Sequence, residues 1–129
     1  MTTFRIPGGE RSPEVDFDFA AGRLSLRGES YPEDASQLFG PIFSALEGFL
    51  ANAVGRDVAF DFELIYFNSS SAKALMNMFH TLDQAAAQGV NITVNWKFAD
   101  GDETMMEFGE DYSEDLTHLT FNLVAMSPA

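Results

Sequence analysis

The chain has no cysteine, which excludes disulfides, thiolate metal sites and cysteine nucleophiles. Bases are scarce too: 7 Lys and Arg stand against 20 Asp and Glu, for a formal net charge of −13. Nucleic acid is therefore not an expected partner, because its phosphates must be neutralised by basic side chains that release counterions. The same repulsion works against anionic membrane surfaces, so no membrane partner is expected. Long apolar runs are missing, none approaching the ~20 residues that span a bilayer. No basic, apolar leader opens the sequence, and the cytoplasm is the expected compartment. The two histidines, His80 and His118, stand apart from any cluster of ligands, which leaves no zinc pattern. Asp100, Asp102 and Glu103 lack the spacing and the glycine of an EF-hand and read as a solvated acidic stretch. No metal or other cofactor is expected. A serine hydrolase finds no support either. There is no Gly-x-Ser-x-Gly elbow, and His80 lies about three helical turns beyond Ser69, out of hydrogen-bond reach on a regular helix.

What is present is enough for one core. Of 129 residues, 46% are hydrophobic, and thirteen Phe against one Trp and three Tyr place most aromatic mass in the interior. No repeat, low-complexity tract or interior linker divides the chain, so 1–129 reads as a single domain. Residues 1–12 read as irregular, with Phe4–Ile6 able to add a short edge strand. Val15, Phe17 and Phe19 then alternate with Asp16 and Asp18, and Leu24 and Leu26 continue the apolar face beyond the Ala20-Ala21-Gly22 turn. Ile42, Phe43, Leu46, Phe49, Leu50 and Ala53 form a helical stripe. Pro41 predicts a lead-in turn with the main helix starting near Gly40, and Gly55 suits the stop.

Alternation returns with Val58, Phe60, Phe62 and Leu64 against Asp61 and Glu63. A helix follows Asn68 with Ala72, Leu75, Met76, Phe79 and Leu82 at helical spacing, closed by Gly89. Val90, Ile92, Val94 and Trp96 mark the next strand's inner face, and Leu119, Phe121 and Leu123 that of the last. Between them, residues 99–115 hold eight acids and no base, with Met105, Met106 and Phe108 as apolar anchors.

The order β-β-α-β-α-β-(short α)-β, with one polar face on every strand, predicts an α/β protein of the α+β two-layer kind. Its single mixed sheet carries helices on one face and opens the other to water. Asp16, Asp18, Ser25, Asp61, Glu63, Thr93 and Asn95 are expected on that open face. The shape is that of anti-sigma-factor antagonists and other STAS domains, which by itself carries no function.

The segment richest in chemistry is Tyr66-Phe67-Asn68-Ser69-Ser70-Ser71-Ala72-Lys73, where a buried strand ends, three hydroxyls follow and a helix begins. Unpaired N–H groups and the positive end of the helix dipole suit a dianionic phosphate there. The plainer reading is a helix cap, the usual use of Asn and Ser at such a position.

Three motifs weigh in favour of phosphorylation. Gly28-Glu29-Ser30-Tyr31-Pro32-Glu33-Asp34, then Tyr66-Phe67-Asn68-Ser69-Ser70-Ser71, then Gly109-Glu110-Asp111-Tyr112 resemble, in order, the signatures of the SiaC family of regulatory phosphoproteins. Ser12-Pro13-Glu14-Val15-Asp16-Phe17-Asp18 and the Val94-Asn95-Trp96 strand fit as well, so the resemblance runs from about Ser12 to Phe121. It implies a non-enzymatic partner switch. In such a switch a serine/threonine protein kinase with a histidine-kinase-like ATPase fold phosphorylates the residue after the Asn, and a PP2C-type phosphatase reverses it. The unphosphorylated form binds a target, a diguanylate cyclase in the founding system, and so acts on cyclic di-GMP and biofilm formation. The family's acceptor is typically Thr in Asn-Thr-Ser-Ser. Here Ser69 takes its place and keeps the hydroxyl, with Ser70 and Ser71 as neighbouring candidates. The resemblance further implies that Glu29, Ser30, Tyr31, Pro32, Glu33, Asn68, Glu110, Asp111 and Tyr112 form the partner-binding surface.

Overall fold

Period-two alternation and helical stripes are resolved, in the computed structural model, into six strands and three helices over the described residues 2–127. In chain order these are β1 (Thr3–Ile6), β2 (Glu14–Asp18), β3 (Arg23–Ser30), α1 (Ala35–Leu50), β4 (Asp57–Phe67), α2 (Ser69–Ala87), β5 (Asn91–Ala99), α3 (Glu103–Ser113) and β6 (Thr120–Met126). The strands lie side by side in that same order, β1 to β3 antiparallel and β3 to β6 parallel. Strand–helix–strand crossovers take one hand almost without exception. Three of them that all advance in the same direction therefore deposit α1, α2 and α3 on one face of the sheet. Under the helices lie Phe17, Leu26, Phe60, Phe62, Val94 and Trp96, all essentially buried.

The other face is open. Asp16, Asp18, Ser25, Asp61, Glu63, Thr93 and Asn95 are all half-buried there. Arg5, Asp16, Ser25, Asp61, Asn95 and Asn122 stand directly opposite one another across all six strands. Hydrogen bonds link parts of this row: Arg5 Nε to Asp16 Oδ1 at 2.8 Å, Asn95 Nδ2 to Asp61 Oδ1 at 2.8 Å and Asn122 Nδ2 to Asn95 Oδ1 at 3.1 Å. Cross-strand pairs of this sort hold register where no core does.

The short edge strand allowed at Phe4–Ile6 is present and begins one residue earlier, Thr3–Ile6 pairing with Val15–Asp18. Several expectations are corrected. The first helix does not start near Gly40: Asp34 accepts the Gln37 N–H at 3.1 Å and caps a helix that runs from Ala35 straight through Pro41. Pro41 and Gln37 both lie on the exposed side, where solvent can satisfy the carbonyl that proline leaves unbonded. Met76 is 44% exposed, and Met78 takes the inward place instead. Leu75, Met78, Phe79 and Leu82 share one narrow face at i, i+3, i+4 and i+7. Leu123 faces the helix side as expected but stays 41% exposed, because β6 is the edge of the sheet.

One carboxylate ties α2 to the approach of β6. Asp83 accepts the backbone N–H groups of Thr117, His118 and Leu119 at 3.4, 2.8 and 3.1 Å. Burial pushes its pKa up, but the three N–H donors together outweigh that and hold it below its ordinary value. A depressed folded-state pKa stabilises above the unfolded value and is lost as pH falls through the folded one. Asp83→Ala is expected to cost about 1–2 kcal/mol at neutral pH. The difference from wild type should shrink below about pH 4, as urea melts at both pH values will measure.

Candidate functional site at the start of α2

The site begins with an irregularity in β4. Its pairing with β3 shifts between Gly28 and Glu29: Gly28 stands opposite Leu64 and Glu29 opposite Tyr66, which leaves Ile65 unmatched. Gly28 adopts a φ of +109°, open to glycine and strained for other residues. The extra residue breaks the alternation. Ile65 and Tyr66 are consecutively exposed, at 69% and 52%, before Phe67 turns back into the core. Tyr31 meets Tyr66 edge-on, ring centroids 5.6 Å apart.

The turn into α2 follows immediately. The Asn68 N–H donates to Ser30 O at 3.0 Å, so the last pairing of β3 fixes where the helix starts. Asn68 Oδ1 accepts the Ser71 N–H at 3.0 Å and the Ser70 hydroxyl at 3.1 Å, which satisfies part of the open first turn. The three candidate serines are thereby separated. Ser69, the first helical residue, is exposed. Ser70 is exposed, with its hydroxyl engaged by the cap. Ser71 is fully buried, its Oγ 2.8 Å from Oγ of Ser30, itself 1% exposed. Ser71 is thus the least accessible of the three hydroxyls, enclosed in the core beside Ser30. Ser30, likewise buried, meets this turn from beneath through the Ser71 hydroxyl and the Asn68 N–H.

Two further elements converge on the same turn. The Tyr112 hydroxyl, on α3, donates to Ala72 O at 3.1 Å. Its ring packs on Phe79 and Trp96 at 5.0 and 5.6 Å. Burial pushes its phenol pKa up to about 12. Tyr112 therefore faces inward and anchors α3, while Glu110 and Asp111 beside it are exposed. Gly109 lies against the sheet, where an added Cβ would stand 2.5 Å from Trp96 Cδ1 and 2.5 Å from Leu123 Cδ2. On the opposite flank, Glu29, Tyr31 and Pro32 are half-buried, and Glu33 is exposed and ion-paired with Arg11. Three stretches far apart in sequence are thus gathered around Ser69: one through Ser30–Ser71, one through Tyr112–Ala72, and the junction itself.

Residues 6–126 match the family of SiaC regulatory phosphoproteins. The chain belongs to the SiaC family. Solved structures agree with the assignment. Apo-SiaC from Pseudomonas aeruginosa is 34% identical, with a TM-score of 0.86 over 97% of this chain and 100% of that one. SiaC from the same organism, in complex with the diguanylate cyclase SiaD that it activates, is 35% identical, with a TM-score of 0.89 over 95% and 99%. An uncharacterized protein of Pseudomonas aeruginosa strain UCBPP-PA14 is 36% identical over 115 residues, covering 89% of this chain and 90% of its own.

The acidic stretch of this SiaC-family chain does structural work. Asp102 caps α3 by accepting the Met105 N–H at 3.2 Å, and Glu103 opens the helix at its positive end. Among the described residues no group of three or more His, Asp or Glu is gathered to hold a metal, and no helix is long and apolar enough to cross a membrane. Sequence reasoning missed Arg11, Ile65 and the Ser30–Ser71 pair. Ile65 and Tyr66 lie where the apolar alternation of β4 falters, a signal that was present in the sequence; the serine pair left none.

The serine pair carries a prediction. Ser30→Ala and Ser71→Ala each strand a buried hydroxyl and are expected to cost about 1–2 kcal/mol apiece. The double variant should cost less than the sum, because it strands neither. A double-mutant cycle read by urea unfolding checks the coupling.

Proposed function

We propose that this chain is a phosphorylation-controlled regulator, itself without catalytic activity, that binds and activates a diguanylate cyclase while Ser69 is unmodified. A serine/threonine kinase of histidine-kinase-like ATPase fold and a PP2C-type phosphatase set the state of Ser69, and with it cyclic di-GMP production and biofilm formation. The observation that carries the reading is the exposed Ser69 hydroxyl on the turn where the three motif segments meet. SiaC, similar over nearly the whole chain, is the activator of a diguanylate cyclase. A phosphate brings roughly −1.5 to −2 charges and three acceptor oxygens. At the first residue of a helix, free N–H groups and the dipole accommodate it, so the fold remains intact while the surface gains concentrated negative charge. Glu29, Tyr31, Pro32, Glu33, Asn68, Glu110 and Asp111 frame that surface, and Ser30 and Tyr112 hold it from beneath.

The test is to titrate a diguanylate cyclase encoded in the same genome with the purified chain and follow cyclic di-GMP formation. Saturable activation is expected, and it should be lost after treatment with the kinase and ATP and restored by the phosphatase. Activation indifferent to phosphorylation would leave a constitutive binding module in place of the switch.

A further inference from the structure

The sheet ends in two edges of opposite character. β1 is four residues long, carries Arg5 and runs into Pro7, features that discourage pairing with another chain. β6 is seven residues long, Thr-Phe-Asn-Leu-Val-Ala-Met, with no charge, proline or register shift, in a chain of which 21% is charged. Its hydrogen-bonding direction follows from one contact. Met126 O accepts the Asp100 N–H at 3.0 Å, so Met126 turns its backbone polar groups toward β5. Backbone groups alternate in direction along a strand. Phe121, Leu123 and Ala125 therefore point their N–H and C=O groups away from the sheet. Their register partners Val94, Trp96 and Phe98 are buried, which places the three side chains on the helix side, where Leu123 remains 41% exposed.

We propose that β6 is a self-association edge, pairing antiparallel with β6 of a second copy about a twofold axis at Leu123. A closed dimer built on a shared strand must pair it antiparallel. Centred on Leu123, all three outward-facing residues find partners: Leu123 exchanges N–H and C=O with its own equivalent, and Phe121 with Ala125 in both directions. The same register sets Leu123 against Leu123 and the large Phe121 beside the small Ala125. No charge lies on the strand to oppose it. The net charge of −13 on each copy repels only at longer range, so association strengthens with salt, the reverse of an ion-paired interface.

Sedimentation velocity on the full chain from about 5 µM to about 0.5 mM, at low and high salt, tests this, since a small interface of this kind belongs to the weak class. Doubling of mass is expected, with Kd on the order of 10–100 µM and tighter in high salt. Ala125→Pro removes an outward N–H without touching the β5 ladder, and Ala125→Glu charges the edge. Each should weaken association at least tenfold while thermal melting stays close to wild type. A wild type that stays monomeric throughout, or a dimer indifferent to both substitutions, overturns the proposal. A chain monomeric alone whose Ala125→Pro variant loses cyclase binding overturns it as well and assigns the edge to a strand of the cyclase.

Discussion

Under the proposed switch, Ser69→Asp is expected to weaken binding to the cyclase by roughly thirtyfold or more, with Ser69→Ala close to wild type in affinity and resistant to the kinase. The exposed Ser69 hydroxyl sits at the centre of the converging segments, so a partner seated on them closes over it. A negative charge enclosed in a contact shaped for a neutral hydroxyl must shed its water. Where the facing group is a carboxylate at ~4 Å, repulsion is ~4 kcal/mol at an effective dielectric of ~20. Halved by screening, ~2 kcal/mol still corresponds to about a thirtyfold loss. A partner lined with arginine would reverse the sign, so the direction of the change reports the chemistry of the facing surface. Stability should move little, because a charge at this helix end is favoured by about 0.3–1 kcal/mol. Calorimetric titration of both variants, together with their melting curves, separates binding from folding. Undiminished cyclase affinity in protein stoichiometrically phosphorylated at Ser69 would refute the switch.

Gly109→Ala is expected to destabilise the fold by about 2–3 kcal/mol, lowering Tm by roughly 10 °C. The new methyl group would meet Trp96 Cδ1 at 2.5 Å and Nε1 at 2.9 Å. Trp96 has no room to yield. It is 1% exposed, its Nε1 donates to Met105 O at 2.8 Å, and Phe62, Phe67, Phe79 and Tyr112 surround its ring. Helix α3 must lift instead, pulling Tyr112 away from Ala72 and loosening the turn that carries Ser69. Cyclase affinity should fall with stability, which distinguishes this variant from Ser69→Asp. Gly48→Ala in α1 is the control: its Cβ would meet nothing within 4 Å, and the change should stabilise by up to about 1 kcal/mol. A Gly109→Ala melt within about 2 °C of wild type would mean that α3 slides freely on the sheet.

The sequence by itself determined the elements and their faces. Val58, Phe60, Phe62 and Leu64 alternate strictly, and all four are buried. Local period was enough to place the core and the open polar face, and once the strands stand in chain order, crossovers of one hand put all three helices on one side. The motif segments, read as a resemblance, named the family.

What only the tertiary structure decided lies where neighbouring residues of one type must be told apart. Ser69, Ser70 and Ser71 are equivalent as text. Ser71 is enclosed because Ser30 arrives from 41 residues away, and no local pattern records that meeting. Met76 and Met78 are likewise both compatible with a helical stripe, and the sheet beneath chooses Met78. Pro41 argues locally for a helix start, yet the Asp34 cap and the packing of Phe39 and Ile42 carry the helix through it. Tyr112 reads as part of an exposed motif, but α3 lies on Trp96 closely enough to turn the phenol inward. Period is a property of adjacent residues and survives in the sequence. Burial of a particular atom depends on what is brought against it from the far end of the chain, and that is fixed only when the sheet closes over its helices.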